Sequence, residues 1–471
     1  MTLDLRYAGA LEVAAAVRSG SISAVDVAEA ALARVAIANP ALNCFTQVAA
    51  ERALDEAAEV DRKISAGENP GELAGVPYAV KNLFDIRGMP TLAGSTIRAR
   101  APAAARDAAA VAALKTAGAV LIGALNMDEF AYGFVTENHH YGPTHNPHDL
   151  TRVAGASSGG SAAAVAAGIV PLALGSDTNG SIRVPASFCG VYGLKATYGR
   201  ISRRGAFLFA GSLDHVGPFA RSVEDLAASF DIMQGHDPED PVSANRARTE
   251  TLPSLNGGVD GLRIATAGGY FVDPDAGQAN EALAVVARAL GVKRAVELPD
   301  PARARAAAFV ITASEGGNHH LEDLRRQPGE FDPNTRTRLI AGALLPAAWV
   351  SFAQRFRNWY RAQMRVVFEQ VDVVLAPATP CPAIRIGQGT IRWNGNDVPA
   401  RANLGVFTQP ISFVGLPVIT VPVPLSGQLP IGVQLIAAPF QEAMLFRVAR
   451  VLEKAGVVSA PVAPVSAQAR L

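Results

Sequence analysis

Two glycine–serine turns, centred on Ser157 and Ser181 and 24 residues apart, narrow what this chain can fold into. The first reads Gly155-Ala-Ser-Ser-Gly-Gly-Ser161 and the second Gly175-Ser-Asp-Thr-Asn-Gly-Ser-Ile-Arg-Val-Pro185. Between them, the Ala-rich run Ser161–Gly168 predicts a helix and the apolar run Val170–Leu174 predicts a strand. The same alternation recurs along the chain. Helices are expected over Ile22–Ile37 (with Ser23 and Asp26 as the cap), Ala50–Ile64, Arg106–Ala117, Ala279–Leu290 and Arg338–Glu369. Strands are expected over Gly75–Lys81, Ala119–Ile122, Gly261–Ala265, Val371–Leu375 and Val418–Val423. Strands alternating with helices make an α/β fold, with a mixed central sheet covered by helices on both faces.

The stretches Thr136–Arg152, His236–Val259 and Gly387–Asn403 read as irregular loops rather than linkers, and no internal repeat is present. Residues 1–471 are therefore expected to form one domain. Within it, residues 1–65 form an N-terminal helical region and residues 70–230 carry the reactive core.

Composition excludes several classes of function. Lys+Arg and Asp+Glu both number 42, so no bulk positive charge is available to hold nucleic acid or an anionic membrane. Hydrophobic residues, at 49%, suffice for a large core and exclude global disorder. The three cysteines, Cys44, Cys189 and Cys381, are far apart and form no CxxC pair, which argues against a disulfide framework or a thiolate zinc site. Cys189 reads as a small core residue. No charge-free apolar run approaches the roughly 18 residues of a membrane span. Residues Met1–Gly20 lack an apolar signal core, so the expected setting is cytoplasmic.

The turns themselves admit more than one chemistry. A phosphate-binding loop needs a lysine after its last glycine, and here Ser161 follows Gly160. Gly155-Ala-Ser157-Ser-Gly159 fits a nucleophile elbow, which would pair Ser157 with a histidine such as His215, His236, His319 or His320. A plain helix-opening turn is the third possibility. A further chemistry draws on Lys81, at the end of the apolar run Val76–Val80. A serine hydroxyl needs a base, and a buried lysine can be one because desolvation favours its neutral form. The alternative for Lys81 is a surface pairing with Asp85. Only six residues are lysine, against 36 arginines, and the other five read as replaceable by arginine. The run His139, His140, His145, His148 lacks helical spacing and is broken by Pro143 and Pro147, so loop histidines are expected rather than a metal site.

In these residues, the chain resembles the amidase-signature family of Ser-Ser-Lys hydrolases. The family's Gly/Ser run matches residues 155–161, its second run matches Asp177-Thr-Asn-Gly-Ser181-Ile-Arg183-Val-Pro185, and its lysine matches Lys81. The resemblance continues through Gln409-Pro-Ile-Ser-Phe-Val-Gly-Leu-Pro417 and Pro430-Ile-Gly-Val-Gln-Leu435. It implies that Ser181 is the nucleophile and that Ser157, after a cis peptide bond, relays the proton to neutral Lys81. It also implies an oxyanion hole made by the backbone N–H groups of Thr178, Asn179, Gly180 and Ser181, with no metal and no organic cofactor. Arg183 is expected to be structural. Ala156 and Asn179 each stand where the family has glycine, and the Asn179 side chain is expected to narrow the acyl site or make it polar.

Asn126-Met-Asp-Glu-Phe-Ala-Tyr-Gly133 resembles the glutaminase component of tRNA-dependent amidotransferases, but Gly405 stands where that component's ammonium-binding Asp would be. Residues Ser176–Ala186, Ala308–Gly317 and Gln434–Pro439 look more like the group that cleaves carboxybiuret, a small carboxylated ureide. That likeness implies ammonia release and a small-molecule ureide or amide substrate. It also implies assembly as a homodimer or heterotetramer, with a small helical accessory subunit. A substrate carboxylate calls for an arginine, and Arg336 and Arg338 are the candidates, with Tyr132 and Gln409 as further pocket residues. Other small-amide hydrolases, a non-catalytic scaffold and a glutaminase-type subunit of an amidotransferase remain the alternatives.

Overall fold

Short apolar runs bounded by Gly and Pro assemble into a single mixed sheet. The structure is a computed structural model and describes residues 3–464. Its main sheet has eleven strands: β1 (Phe45–Val48), β2 (Pro77–Lys81), β3 (Val120–Leu125), β4 (Leu172–Asp177), β5 (Tyr192–Lys195), β6 (His215–Ala220), β7 (Ile264–Ala267), β8 (Ala295–Val296), β9 (Val373–Pro377), β10 (Val418–Val423) and β11 (Ile431–Ala437). Their spatial order is β1-β3-β2-β4-β6-β5-β10-β11-β9-β7-β8. The trio β3-β2-β4 is parallel, as is β9-β7-β8, and the strands between them run antiparallel.

The parallel trio places the site. Val80 lies beside Leu174 and Lys81 beside Leu125, so β2 and β4 deliver their carboxyl ends to one edge of the sheet. Ligands of open α/β sheets bind at such carboxyl ends. The helix Gly159–Ala166 packs on β2 and β4 and also on the helix Arg183–Cys189. It is buried at every residue, and its Gly, Ser and Ala side chains let it lie that close. A Cβ on Gly160 would come within 2.6 Å of the Asn126 backbone and the Cys44 carbonyl.

Several sequence expectations change in detail. Thr136–Arg152 is not a plain loop. It forms two small antiparallel pairings, Glu137–Asn138 with Gly142–Pro143 and His145–Asn146 with Asp149–Val153. Gly387–Asn403 contains a hairpin, Thr390–Trp393 with Asn396–Pro399, followed by the short helix Ala400–Asn403. Its turn residues Asn394 and Gly395 both have positive φ, as an Asn-Gly hairpin turn requires. The helix expected over Arg338–Glu369 is two helices, Pro333–Ala343 and Ala347–Gln370, bent by 91° across a break that contains Pro346. The helical region up to residue 65 also contributes β1 to the sheet edge. Among the described residues, no single helix is long and apolar enough to cross a membrane.

Candidate active site

Lys81 closes β2, a strand buried at every residue between β3 and β4. Its ammonium position is fixed by two hydroxyls, with Nζ 2.7 Å from Ser157 Oγ and 2.9 Å from Ser176 Oγ. The alternative partner, Asp85, is engaged elsewhere and accepts a hydrogen bond from Thr91 Oγ1. Burial lowers the Lys81 pKa to about 7, against the upward pull of Asp128, Asp214 and Asp177. A lysine held this way has access to its neutral, proton-accepting form.

Ser157 follows a cis peptide bond from Ala156, the geometry that the family resemblance implied. The Ser158 N–H donates to the Ser181 carbonyl at 3.3 Å, which ties the first turn to the second. Ser157 is fully buried, and Ser181, also buried, lines a small cleft.

Asp177 and Arg183 shape the second turn. Arg183 donates from Nε to Asp177 Oδ2 at 2.9 Å and from Nη2 to Oδ1 at 3.0 Å, with both side chains fully buried. Its Nη1 reaches the Thr408 carbonyl and Gln434 Oε1, and Nη2 also donates to Ser412 Oγ. Burial raises the Asp177 pKa, but Arg183, Lys195 and His215 together hold it well below the usual carboxylate range. The carboxylate then accepts from the backbone N–H groups of Gly180, at 2.7 Å, and Ile182, at 3.2 Å. This corrects one expectation, because the Gly180 N–H is committed to Asp177 and is not free for an oxyanion. The N–H groups of Thr178, Asn179 and Ser181 have no acceptor among the described residues. Gly180 has φ +139°, and a Cβ there would strike Thr408, so the turn needs glycine at this point.

The cleft beside Ser181 is walled by Tyr132, Phe134, Asn179, Thr312, Arg338 and Gln409, among others. Arg338 lies 3.5 Å above the Tyr132 ring centroid and donates from Nη1 to the Tyr132 carbonyl at 2.8 Å. Arg336 does not line the cleft; its guanidinium donates to the Pro328 carbonyl. Gln409 Oε1 accepts from Arg305 Nε at 2.7 Å. A Cβ at Gly405 would run into the Phe134 ring, so an aromatic side chain fills the space that an acidic residue there would need.

Sequence reasoning missed Ser176, Arg305, Phe309 and Thr312. The last three repeat at i, i+4 and i+7 on the helix Pro301–His319, a one-face spacing visible in the sequence once that helix is assigned. It also misjudged Lys195, which is not replaceable at modest cost. Lys195 is fully buried, donates to the Leu416 carbonyl and lies 3.3 Å from His215 Nε2. The eight histidines do not supply a base, since none bonds to Ser157 or Ser181 among the described residues. His140 pairs with Glu129, while His145 and His148 bond to the Leu150 and Cys189 carbonyls. Among the described residues, no group of three His, Cys, Asp or Glu side chains is placed to hold a metal ion.

Comparison with known proteins agrees with this geometry. The chain is 53% identical over 451 residues to the 1-carboxybiuret hydrolase AtzE of Pseudomonas sp. (strain ADP), covering 95% of this chain and 98% of that protein. It is 38% identical over 480 residues to a glutamyl-tRNA(Gln) amidotransferase subunit of Carboxydothermus hydrogenoformans, covering 96% and 98%. A solved, inhibitor-bound structure, described as a vestigial protein complex that reveals the evolutionary origins of an s-triazine catabolic enzyme, superposes with a TM-score of 0.94. It shares 51% identity and covers 96% of this chain and all of that one. The sequence model of the Amidase family matches residues 26–446. The chain belongs to the amidase family, hydrolases of amide C–N bonds.

Proposed function

We propose that this amidase cleaves the terminal amide of a small carboxylated ureide such as 1-carboxybiuret and releases ammonia. The observation that carries the proposal is the buried Lys81 Nζ at 2.7 Å from Ser157 Oγ, with Ser181 lining the adjoining cleft. Ser181 Oγ attacks the amide carbon and gives its proton to Ser157, whose own proton passes to neutral Lys81. The oxyanion is met by the N–H groups of Thr178, Asn179 and Ser181. Each such donor is worth roughly 2.7–4 kcal/mol in the transition state. As the C–N bond breaks, the relay returns the proton to the leaving nitrogen, ammonia departs, and the acyl group remains as an ester on Ser181. Water then attacks that ester by the same relay and leaves a carboxylate.

The substrate class follows from the cleft and from the AtzE relative, whose name states 1-carboxybiuret hydrolysis. Arg338, held against Tyr132, supplies the cation for the substrate carboxylate, and Gln409 supports it from the same wall. Free glutamine fits less well, since Phe134 fills the space beside Gly405 where an acidic anchor for its ammonium would sit. We also propose that the chain assembles, as a homodimer or as a heterotetramer with a small helical accessory subunit; that the similar solved structure is described as a protein complex supports assembly as such. In keeping with this, Trp349, Phe352 and Trp359 leave an apolar face exposed on the helix Ala347–Gln370. A cytoplasmic setting agrees with three free cysteines.

An ammonia-release panel of 1-carboxybiuret, biuret, allophanate, malonamate, glutamine and an aryl amide tests the substrate class. Carboxylated ureides should lead it, and a lead by glutamine or the aryl amide would contradict the proposal. Ser181→Ala, Lys81→Ala and Lys81→Arg should each lower kcat by about 10^3-fold or more while the fold persists by circular dichroism. Lys81→Arg belongs with these because guanidinium stays protonated and cannot be a base. Arg338→Ala should raise KM for carboxylated substrates about ten- to a hundredfold, with a smaller change for uncharged biuret. The wild-type pH profile should also show the lysine. Burial lowers Lys81 to about 7, and its neutral form accumulates above that value, so kcat/KM should climb as pH rises through about 7.

A further inference from the structure

Asn179 stands directly before Gly180 and Ser181, is 8% exposed and forms part of the cleft wall. Its Nδ2 donates to Thr312 Oγ1 at 2.9 Å, which fixes the plane of the amide. Its Oδ1 is buried and has no hydrogen-bond partner among the described residues. A buried carbonyl left this way is unfavourable until a donor reaches it.

Three other acceptors on the same wall already have donors. Gln409 Oε1 is taken by Arg305, Thr312 Oγ1 by Asn179 itself, and the Tyr132 carbonyl by Arg338. Beside Ser181 stand backbone N–H donors, a guanidinium and the buried, unpartnered Asn179 Oδ1. The donors suit a carbonyl oxygen and a carboxylate. The acceptor suits an N–H on the acyl side of the scissile bond.

We propose that Asn179 Oδ1 accepts a hydrogen bond from the N–H that flanks the scissile carbonyl, and thereby selects ureides over simple carboxamides. This rests on the proposed reading of Ser181 as the nucleophile and adds which feature of the acyl group the site reads. In a ureide, the atom next to the attacked carbon is N–H; in a carboxamide of the same shape it is CH2. The two differ little in size, so an apolar pocket would barely separate them. A buried acceptor does, because the CH2 compound leaves it unpaired. Thr312 is a positioning residue that acts through Asn179.

Allophanate and malonamate form the diagnostic pair, since they differ only by N–H or CH2 beside the amide carbonyl. Their kcat/KM values for ammonia release are compared within each sample of the full chain: wild type, Asn179→Ala and Thr312→Val. A ratio taken within one sample cancels any loss of folded protein. The allophanate-to-malonamate ratio should fall about ten- to a hundredfold in Asn179→Ala, and in the same direction but by less in Thr312→Val. An unchanged ratio in Asn179→Ala overturns the assignment, as does failure of the wild type to turn over either compound. If the ratio falls but the wild type releases no ammonia from 1-carboxybiuret, this assignment stands and the proposed substrate falls.

Discussion

The active site depends on one constraint, a lysine amine buried at the carboxyl end of a central parallel strand with hydroxyls rather than carboxylates as its bonded partners. Lys81 Nζ meets Ser157 and Ser176, while Asp85, four residues away in sequence, is bonded to Thr91. Taking an ammonium out of water is expensive, and without a bonded counter-ion the neutral amine is favoured. Its place in the sheet contributes to this. β2 lies between β3 and β4, Lys81 at its end is fully buried, and the turn after β4 is delivered to the same edge.

A second buried charge keeps the nucleophile turn in place. Asp177 and Arg183 form an ion pair with both side chains fully buried, and the carboxylate gathers the N–H groups of Gly180 and Ile182 on either side of Ser181. Losing one partner of such a pair strands the other in the core, which typically costs about 3–5 kcal/mol. The two buried charges thus divide the work. Asp177 with Arg183 sets the backbone around Ser181, and Lys81 governs where the proton goes. Asn179 and Thr408 connect this framework to the cleft, as Thr408 Oγ1 donates to the Asn179 carbonyl while the Asn179 side chain faces Thr312.

Much of this was legible in the sequence because local patterns carried it. The glycine–serine turns, the apolar run ending in Lys81 and the Ser23 cap all depend on neighbours in the chain, and the structure places each as expected. What could not be read locally depends on distant residues meeting. Arg338 finds the Tyr132 carbonyl 206 positions away, and Arg305 finds Gln409 104 positions away. β6 and β11 were missed because their apolar runs are interrupted, by Gly217 and Pro218 in β6 and by Gly432 and Gln434 in β11, whereas the equally buried β2 reads as a continuous run. Lys195 was undervalued because its burial follows from long-range strand order, which puts β5 between β6 and β10. The Asn394-Gly395 hairpin was, by contrast, a local signal that was overlooked.

The central claim is that Ser181 is a nucleophile activated through Ser157 by a neutral Lys81. Covalent labelling with a fluorophosphonate, followed by peptide mass spectrometry, tests it most directly, because the reagent reports which hydroxyl is activated without requiring the substrate. The account predicts an adduct on Ser181 in the wild type that is lost in Lys81→Arg. An adduct on Ser157, or undiminished labelling of Ser181 in Lys81→Arg, would contradict it.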